Sequence, residues 1–298
     1  MNDLFEPIKL ISDRPTQNEI DSAIVEYQQY DKNYVWAGIR SDIRNNINLR
    51  WNAIKGFCER DFSSEFRQID QHHSRLWELN CRYLLKVRLL RAPRPGEPDV
   101  IAEDFVIECT VPLPRGVPTP HYDGRLFDFP TDQISRRVTS VLVEKLAQLE
   151  RRLANTNTSI NYENIPYIIG LGLTHPNFLS SMHMNGMDIP EALLMGAGPL
   201  QITISGDGSE GRMGIATQHS ITASGGAEIP TAFFQRDEWK KVSAVLWSTK
   251  WFPEDNDIKV LLNPNANIPF NPDSLGIDAE IISYKKVDNG YNRDQRLN

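Results

Sequence analysis

The stretch Glu97-Pro98-Asp99-Val100-Ile101-Ala102-Glu103-Asp104-Phe105-Val106-Ile107-Glu108-Cys109-Thr110 decides how the rest of the chain is read. Val100, Ile101, Phe105, Val106 and Ile107 favour a pleated backbone, and Glu103-Asp104 interrupt them with charge, which predicts two short strands meeting at a turn. With the turn there, Ala102 pairs with Phe105 and Asp99 stands opposite Glu108, their Cβ atoms roughly 5 Å apart on one face. Two carboxylates so placed repel, a liability that a cation between them removes. Asp99 and Glu108 are therefore the first candidate site residues.

Upstream, the first ninety residues read as helical. Thr16 can cap a helix from Gln17 to Tyr30, with Ile20, Ala23, Ile24 and Tyr27 at helical spacing, and Ser41 or Asp42 can cap a second running through Glu59. On the second helix Arg40, Arg44, Arg50, Lys55 and Arg60 are interleaved with Trp51 and Phe57. A solvated face on a packing helix outranks an arm over a nucleic-acid backbone for this pattern. A third helix, Ser74 to Leu90, is apolar nearly all round, with Leu76, Leu79, Tyr83, Val87 and Leu90 in one stripe. Glu78 falls inside that apolar surface, and a buried carboxylate needs a partner. Two partners stay open: Arg82 one turn on, or a metal or catalytic network.

Downstream, Pro112, Pro114, Pro118, Pro120 and Pro130 surround Arg115 and His121 in a surface loop near the end of the Glu108 strand. A long helix capped by Thr131 or Asp132 runs to Leu153, its apolar stripe formed by Ile134, Val138, Val141, Leu142, Leu149 and Leu153, with Arg136, Arg137 and Arg151 outward. At about 100° per residue Lys145 falls within roughly 20° of Ile134, inside the stripe. It either snorkels to solvent or reaches across to the carboxylates. Asn155 to Asn164 is a polar breaker, and Pro166 to Leu173 is an apolar run suited to a central strand covered on both faces. Strand, helix, strand in this order predicts a right-handed α/β crossover.

Arg75-Leu76-Trp77-Glu78-Leu79 on a helix, then Pro98-Asp99, then Phe105-Val106-Ile107-Glu108, resembles the PD-(D/E)XK superfamily of restriction-endonuclease-like nucleases. The resemblance covers residues 70 to 175 and implies a mixed-sheet α/β (α+β) core flanked by helices, with Glu78, Asp99 and Glu108 binding Mg²⁺ or Mn²⁺ for phosphodiester hydrolysis. Where the family usually carries a lysine two residues after the strand glutamate, this chain has Thr110. In some such families the lysine has migrated to a neighbouring helix, which makes Lys145 the candidate fourth catalytic residue. The resemblance further implies a nucleic-acid partner, DNA ahead of RNA, touched by Arg75, Arg115 and Arg137, and allows a homodimer. The alternative is a catalytically inactive nuclease fold serving as a binding or assembly module.

The last third is less patterned. Phe178 to Ala197 carries Met182, Met184, Met187 and Met195 with His183, which suits adaptable packing better than a metal box, and neither His175 nor His183 has a third ligand at a telling distance. Leu200 to Ser205 and Met213 to Thr222 read as strands bounded by glycine turns, and Val242 to Ser248 and Ile258 to Leu262 as two strands extending the main sheet. The tail after Asp288 reads as polar and frayed. The domain reading is a helical region 1–66 packed on or beside the core, a nuclease-like core with its C-terminal extension over 67–288, and a tail 289–298. If the first two helices are only an arm, a chain starting near Asp61 still folds.

Composition bounds all of this. With 298 residues, 40% apolar and 9% aromatic, the chain can bury one large core or two modest ones. No run approaches the roughly 20 apolar residues of a membrane span and Met1-Asn2-Asp3 begins no export signal, so a cytoplasmic protein without membrane contact is expected. Cys58, Cys81 and Cys109 lack CxxC spacing and read as small buried apolar residues, and scattered histidines argue against a zinc hydrolase. A net charge of -7 excludes a generally basic nucleic-acid coat but not a local cationic groove.

Overall fold

The computed structural model describes residues 3–118, 130–155, 159–175, 178, 183–184, 187–204, 211–223, 225–287 and 290–297. Pro120, His121 and Met182 lie outside them. Helix α1 (Gln17–Glu26) starts at the expected Thr16, which accepts a hydrogen bond from the Glu19 amide while Glu19 reaches back to the Thr16 amide. It stops four residues short of Tyr30, because a separate helix α2 (Lys32–Ile39) starts at Asp31, whose carboxylate accepts from the Asn33 and Tyr34 amides. Next come α3 (Ser41–Ile54), followed by a 3₁₀ turn rather than helix to Glu59, then α4 (Phe62–Glu65) and α5 (His72–Leu84).

Strands β1 (Val100–Ile101) and β2 (Val106–Thr110) lead to α6 (Thr131–Ala154) and β3 (Tyr167–Gly172). Then follow β4 (His183–Met184), β5 (Met187–Asp188), α7 (Ile189–Met195), β6 (Ala197–Ile204), β7 (Gly211–Thr217), β8 (Ser220–Thr222) and β9 (Glu228–Pro230). The chain closes with β10 (Ala244–Ser248), β11 (Lys259–Leu262), β12 (Glu280–Val287) and β13 (Gly290–Leu297). One mixed sheet of seven strands runs β1-β2-β3-β10-β11-β12-β13, with β2, β3 and β10 parallel. The expected strands at 242–248 and 258–262 do extend this sheet, whereas β6 pairs with β7 and β8 with β9 in separate ribbons. Residues 290–297 are not a frayed tail: they pair along the whole of β12 as its polar edge strand.

Helix α6 covers one face of the sheet, packing Ile134, Val138, Leu142 and Leu149 against Val106, Ile169 and Leu171, while α5 covers the other with Trp77 and Cys81 against Ile107 and Cys109. The glycines of β3 permit that second approach. Trp77 donates its indole N–H to the Gly170 carbonyl at 3.0 Å, and a Cβ on Gly172 would meet Trp77 Cγ at 2.6 Å. The third helix ends six residues early, and Leu89 instead bridges to Ala102 along the outer edge of β1. Val87 and Leu90 are therefore exposed rather than buried in the stripe.

The N-terminal helices share a core with α5. Phe5, Tyr34, Ile47, Ile54, Phe62 and Phe66 form one cluster with Leu76 and Leu79. Neither reading of the early arginines holds for Arg44 and Arg50, which are buried: Arg44 donates to the Ile8 and Gly38 carbonyls, and Arg50 donates to Asn80 Oδ1 at 2.9 Å and to the Pro253 carbonyl. A chain beginning at Asp61 would expose Phe62, Phe66, Leu76 and Leu79 together, removing of order 25 cal/mol per Å² of apolar burial from a protein with little to spare. We expect that truncation to lose its cooperative thermal transition; soluble, cooperatively melting material would show that these helices are dispensable.

Three histidines gather at this junction. The His72 ring packs edge-on to Phe66, and His73 lies 4.9 Å from His175 and 5.5 Å from Trp251 by ring centroids. Burial holds all three imidazoles down to about 4, against the opposing pull of the Asp31 carboxylate. A depressed histidine stabilises the fold fully above the ordinary value of 6.5, and that stabilisation drains as pH falls toward 4, because only the unfolded chain takes up the protons. Urea unfolding should lose on the order of a few kcal/mol between pH 6.5 and 4.5. The same profile in His73→Phe should be flatter; an unchanged slope would remove His73 from the effect.

Candidate active site

The hairpin has the register expected from sequence. Val100 pairs with Ile107, Ile101 with Val106, and the Ala102 amide donates to the Phe105 carbonyl at 3.0 Å. Continued by one step, this places Asp99 opposite Glu108, although Asp99 lies in a bend just before β1. Its carboxylate turns to accept the Cys109 amide at 2.7 Å. Among the described residues the acidic group that includes Asp99 takes in Glu59 and Glu78 rather than Glu108.

Glu108, buried on β2, is instead held from α6. Lys145 Nζ donates to Glu108 Oε1 at 2.9 Å and Arg152 donates to Oε2 at 2.5 Å. Arg152 also donates to the Gly96 and Glu97 carbonyls, tying the approach to the hairpin against the end of α6. Lys145 makes a further bond to Gln148 Oε1 at 3.2 Å. Burial alone would lower the Lys145 ammonium, but the facing Glu108 and Asp99 charges outweigh it and hold the group above its ordinary value. Lys145 is thus a cation with its side chain 16% exposed, aimed at the carboxylates rather than snorkelling away from them.

Asp99 belongs to a second group. Carboxylate oxygens of Glu59, Glu78 and Asp99 all lie within 4.8 Å of one another, Glu78 buried and the other two half-buried. Glu78 pairs with Arg75 at 2.6 Å and more loosely with Arg82 at 3.8 Å, and Arg82 holds Glu59 at 2.9 Å. Of the two open partners of Glu78, the arginine one turn on is present, although Arg75 lies nearer than Arg82, and Glu78 also stands beside the Glu59 and Asp99 carboxylates. Among the described residues no side-chain cation comes within ion-pair distance of Asp99. Burial, then the Glu78 and Glu108 charges, push the Asp99 carboxyl well above its usual range, and burial raises Glu78 against the pull of Arg75 and Arg82. Three hard oxygen donors crowded together, one without a counter-cation, suit a divalent cation that prefers oxygen ligands.

Glu78, Asp99, Glu108 and Lys145 are thus brought to one region, whereas the arginines divide. Arg75 is occupied by Glu78 and Glu65 and belongs to the acidic network. Arg115 is exposed on the proline-rich loop and pairs with Asp70 at 3.1 Å, and Arg137 lies half-buried beside Gly116 of the same loop. Sequence reasoning missed Glu59 and Arg152. Glu59 follows an irregular turn and carries no periodic signal. Arg152 did carry one, since at about 100° per residue it lies seven positions beyond Lys145 on the same stripe. Among the described residues no helix is long and apolar enough to cross a membrane. No protein-family model, curated protein or solved structure matches the chain.

Proposed function

We propose that this protein is a divalent-metal-dependent nuclease of the PD-(D/E)XK kind in which a helix lysine replaces the one missing from the strand motif. The observation that carries this reading is the 2.9 Å contact from Lys145 on α6 to Glu108, beside Asp99 and Glu78, in a chain with Thr110 at the usual lysine position. Asp99 and Glu78 would hold Mg²⁺ or Mn²⁺, with Glu59 within reach. When bound, such an ion acidifies water and offsets charge on phosphate oxygens. Lys145 has three N–H donors, of which Glu108 and Gln148 take two, leaving one for a water or a phosphate oxygen. Kept protonated by Glu108, it donates and steadies developing negative charge rather than serving as a base. Arg152 fixes Glu108, and through it the ammonium. Arg115 and Arg137 would meet the nucleic-acid backbone, Arg115 on release from Asp70.

One observation favours the inactive alternative: both Glu108 oxygens are already satisfied by cations, as in a closed structural ion-pair network. Two measurements separate the readings. Labelled single- and double-stranded DNA and RNA should be cleaved with Mg²⁺ or Mn²⁺ and spared with chelator; cleavage that survives chelation excludes the metal mechanism. Independently of activity, Mg²⁺ or Mn²⁺ should raise the melting temperature by mass action. The increment should grow as pH rises over the range in which the protein stays folded, because the raised Asp99 and Glu78 carboxyls must lose their protons to bind. A metal-insensitive transition across that range would leave only the binding-module reading.

A further inference from the structure

The seven-stranded sheet ends on β13, and the two ends of the sheet differ. The outer side of β1 is covered, with Leu89 bridging to Ala102 and the Leu90 amide donating to the Ile101 carbonyl at 2.9 Å. Among the described residues no strand pairs with the outer side of β13. The β6–β7 ribbon passes near β13 without forming a ladder with it, and residues 292–297 are all exposed. In an antiparallel ladder alternate residues turn both backbone groups away from the neighbour they already have, so β13 presents N–H and C=O groups to any strand that lies alongside. Charge usually blunts such an edge. In Asn292-Arg293-Asp294-Gln295-Arg296-Leu297 both signs occur at close spacing, so whether charge repels a second strand depends on the register.

We propose that β13 pairs antiparallel with β13 of a second copy, joining the two sheets about a two-fold axis centred on Gln295. For antiparallel strands in one continuous sheet the two-fold stands perpendicular to that sheet, and directly opposed residues share a face, so the open registers are those that set one residue opposite itself. Centring on Arg293 or Arg296 opposes two arginines, and centring on Asp294 opposes two aspartates, which destabilises. Centring on Asn292 or Leu297 forms no Asp–Arg pair. Centring on Gln295 sets Asp294 of each copy opposite Arg296 of the other, two opposite-charge pairs with Cβ atoms about 5 Å apart. Arg296 pairs with Ile281 of β12 and so lies, with Asp294, on the sheet face that α5 covers. There it stands 3.6 Å from Asp273 in an exposed pair, and a guanidinium has donors enough to serve both acids. On the other face Arg293 is held by Glu191 and donates to Gln295 Oε1, which orients the Gln295 NH₂ to donate to Gln295 of the second copy. Leu297, 71% exposed, falls opposite the stem of Arg293. Five opposed residues a side are far fewer than the roughly 20–30 of a standard interface, so the dimer is weak and depends on concentration.

Sedimentation velocity on the full chain, in chelator and over about 5 to 500 µM protein, should show the wild type passing from one chain to two. Asp294→Arg opposes arginines at both cross-strand sites, and Arg296→Asp opposes aspartates. Each should weaken dimerisation at least about tenfold while melting as the wild type does at the lowest concentration, because both side chains are exposed. The double variant Asp294→Arg/Arg296→Asp rebuilds both opposite-charge pairs with their signs exchanged, and it should recover the wild-type dissociation constant to within about threefold. A wild type that stays monomeric at the highest concentration, single variants that dimerise as the wild type does, or a double variant no better than the singles would each overturn the proposal.

Discussion

Lys145→Met is expected to lower metal-dependent cleavage at least about a hundredfold, equivalent to roughly 2.7 kcal/mol of barrier, while leaving the melting temperature close to that of the wild type. Methionine keeps the apolar stem that packs in the α6 stripe and loses the ammonium that contacts Glu108 at 2.9 Å. Folding should tolerate the change because Glu108 retains Arg152, its other partner, at 2.5 Å. The metal-induced rise in melting temperature should also persist, since Asp99, Glu78 and Glu59 lie on other elements. A single-turnover assay with saturating Mg²⁺ checks the rate, and calorimetry checks the fold. If the wild type cleaves and Lys145→Met cleaves equally fast, the helix lysine has no part in the chemistry.

Glu108→Gln is expected to destabilise the metal-free protein by about 3–5 kcal/mol, the cost of removing one partner of a buried ion pair. The amide would offer Lys145 and Arg152 one neutral acceptor and present its NH₂ to a cation. Arg152, 9% exposed, would then be left without its counter-charge. Read from the sequence alone, the same substitution has the opposite sign, because it relieves repulsion between Glu108 and Asp99. The inversion comes from α6, which supplies two cations to an acid that the hairpin by itself leaves facing another acid. Urea unfolding in chelator decides between the signs. A stability gain in Glu108→Gln would mean that the two ion pairs contribute less than the carboxylate repulsion they offset.

Much of the site could be read from local pattern. Strand alternation and the charged Glu103-Asp104 interruption predict a hairpin register that the Val100–Ile107 and Ile101–Val106 pairs match. Helical arithmetic places Lys145 inside the buried stripe of α6, and the same arithmetic extends to Arg152. The Thr16 cap, the α6 stripe and the apolar β3 run follow from side-chain types at fixed spacing, which is why they are legible. The length of α5 was not, because nothing in Leu84 to Leu90 breaks a helix. Pairing of Leu89 beside Ala102 competes with the helix, and that partner lies in another segment. The polar edge strand β13 was hidden for a related reason: its order comes from pairing to β12, and its own composition resembles a solvated tail.

The sequence by itself determined that Asp99 and Glu108 lie across a hairpin, that Glu78 is buried on a helix, and that Lys145 faces the core. Backbone periodicity and short-range turns specify each of these within a few residues. Only the tertiary structure decided which charge answers which. It gave Glu108 to Lys145 and Arg152, turned Asp99 toward Glu78 and Glu59, and drew Arg75 and Arg82 into the acidic cluster. Those pairings join residues up to 44 positions apart, on helices whose positions are set by the apolar faces they bury against the sheet. Hydrophobic packing fixes those positions without regard to charge, so the ionic partners follow from how α5 and α6 dock, and docking has no signature in any one stretch of the chain.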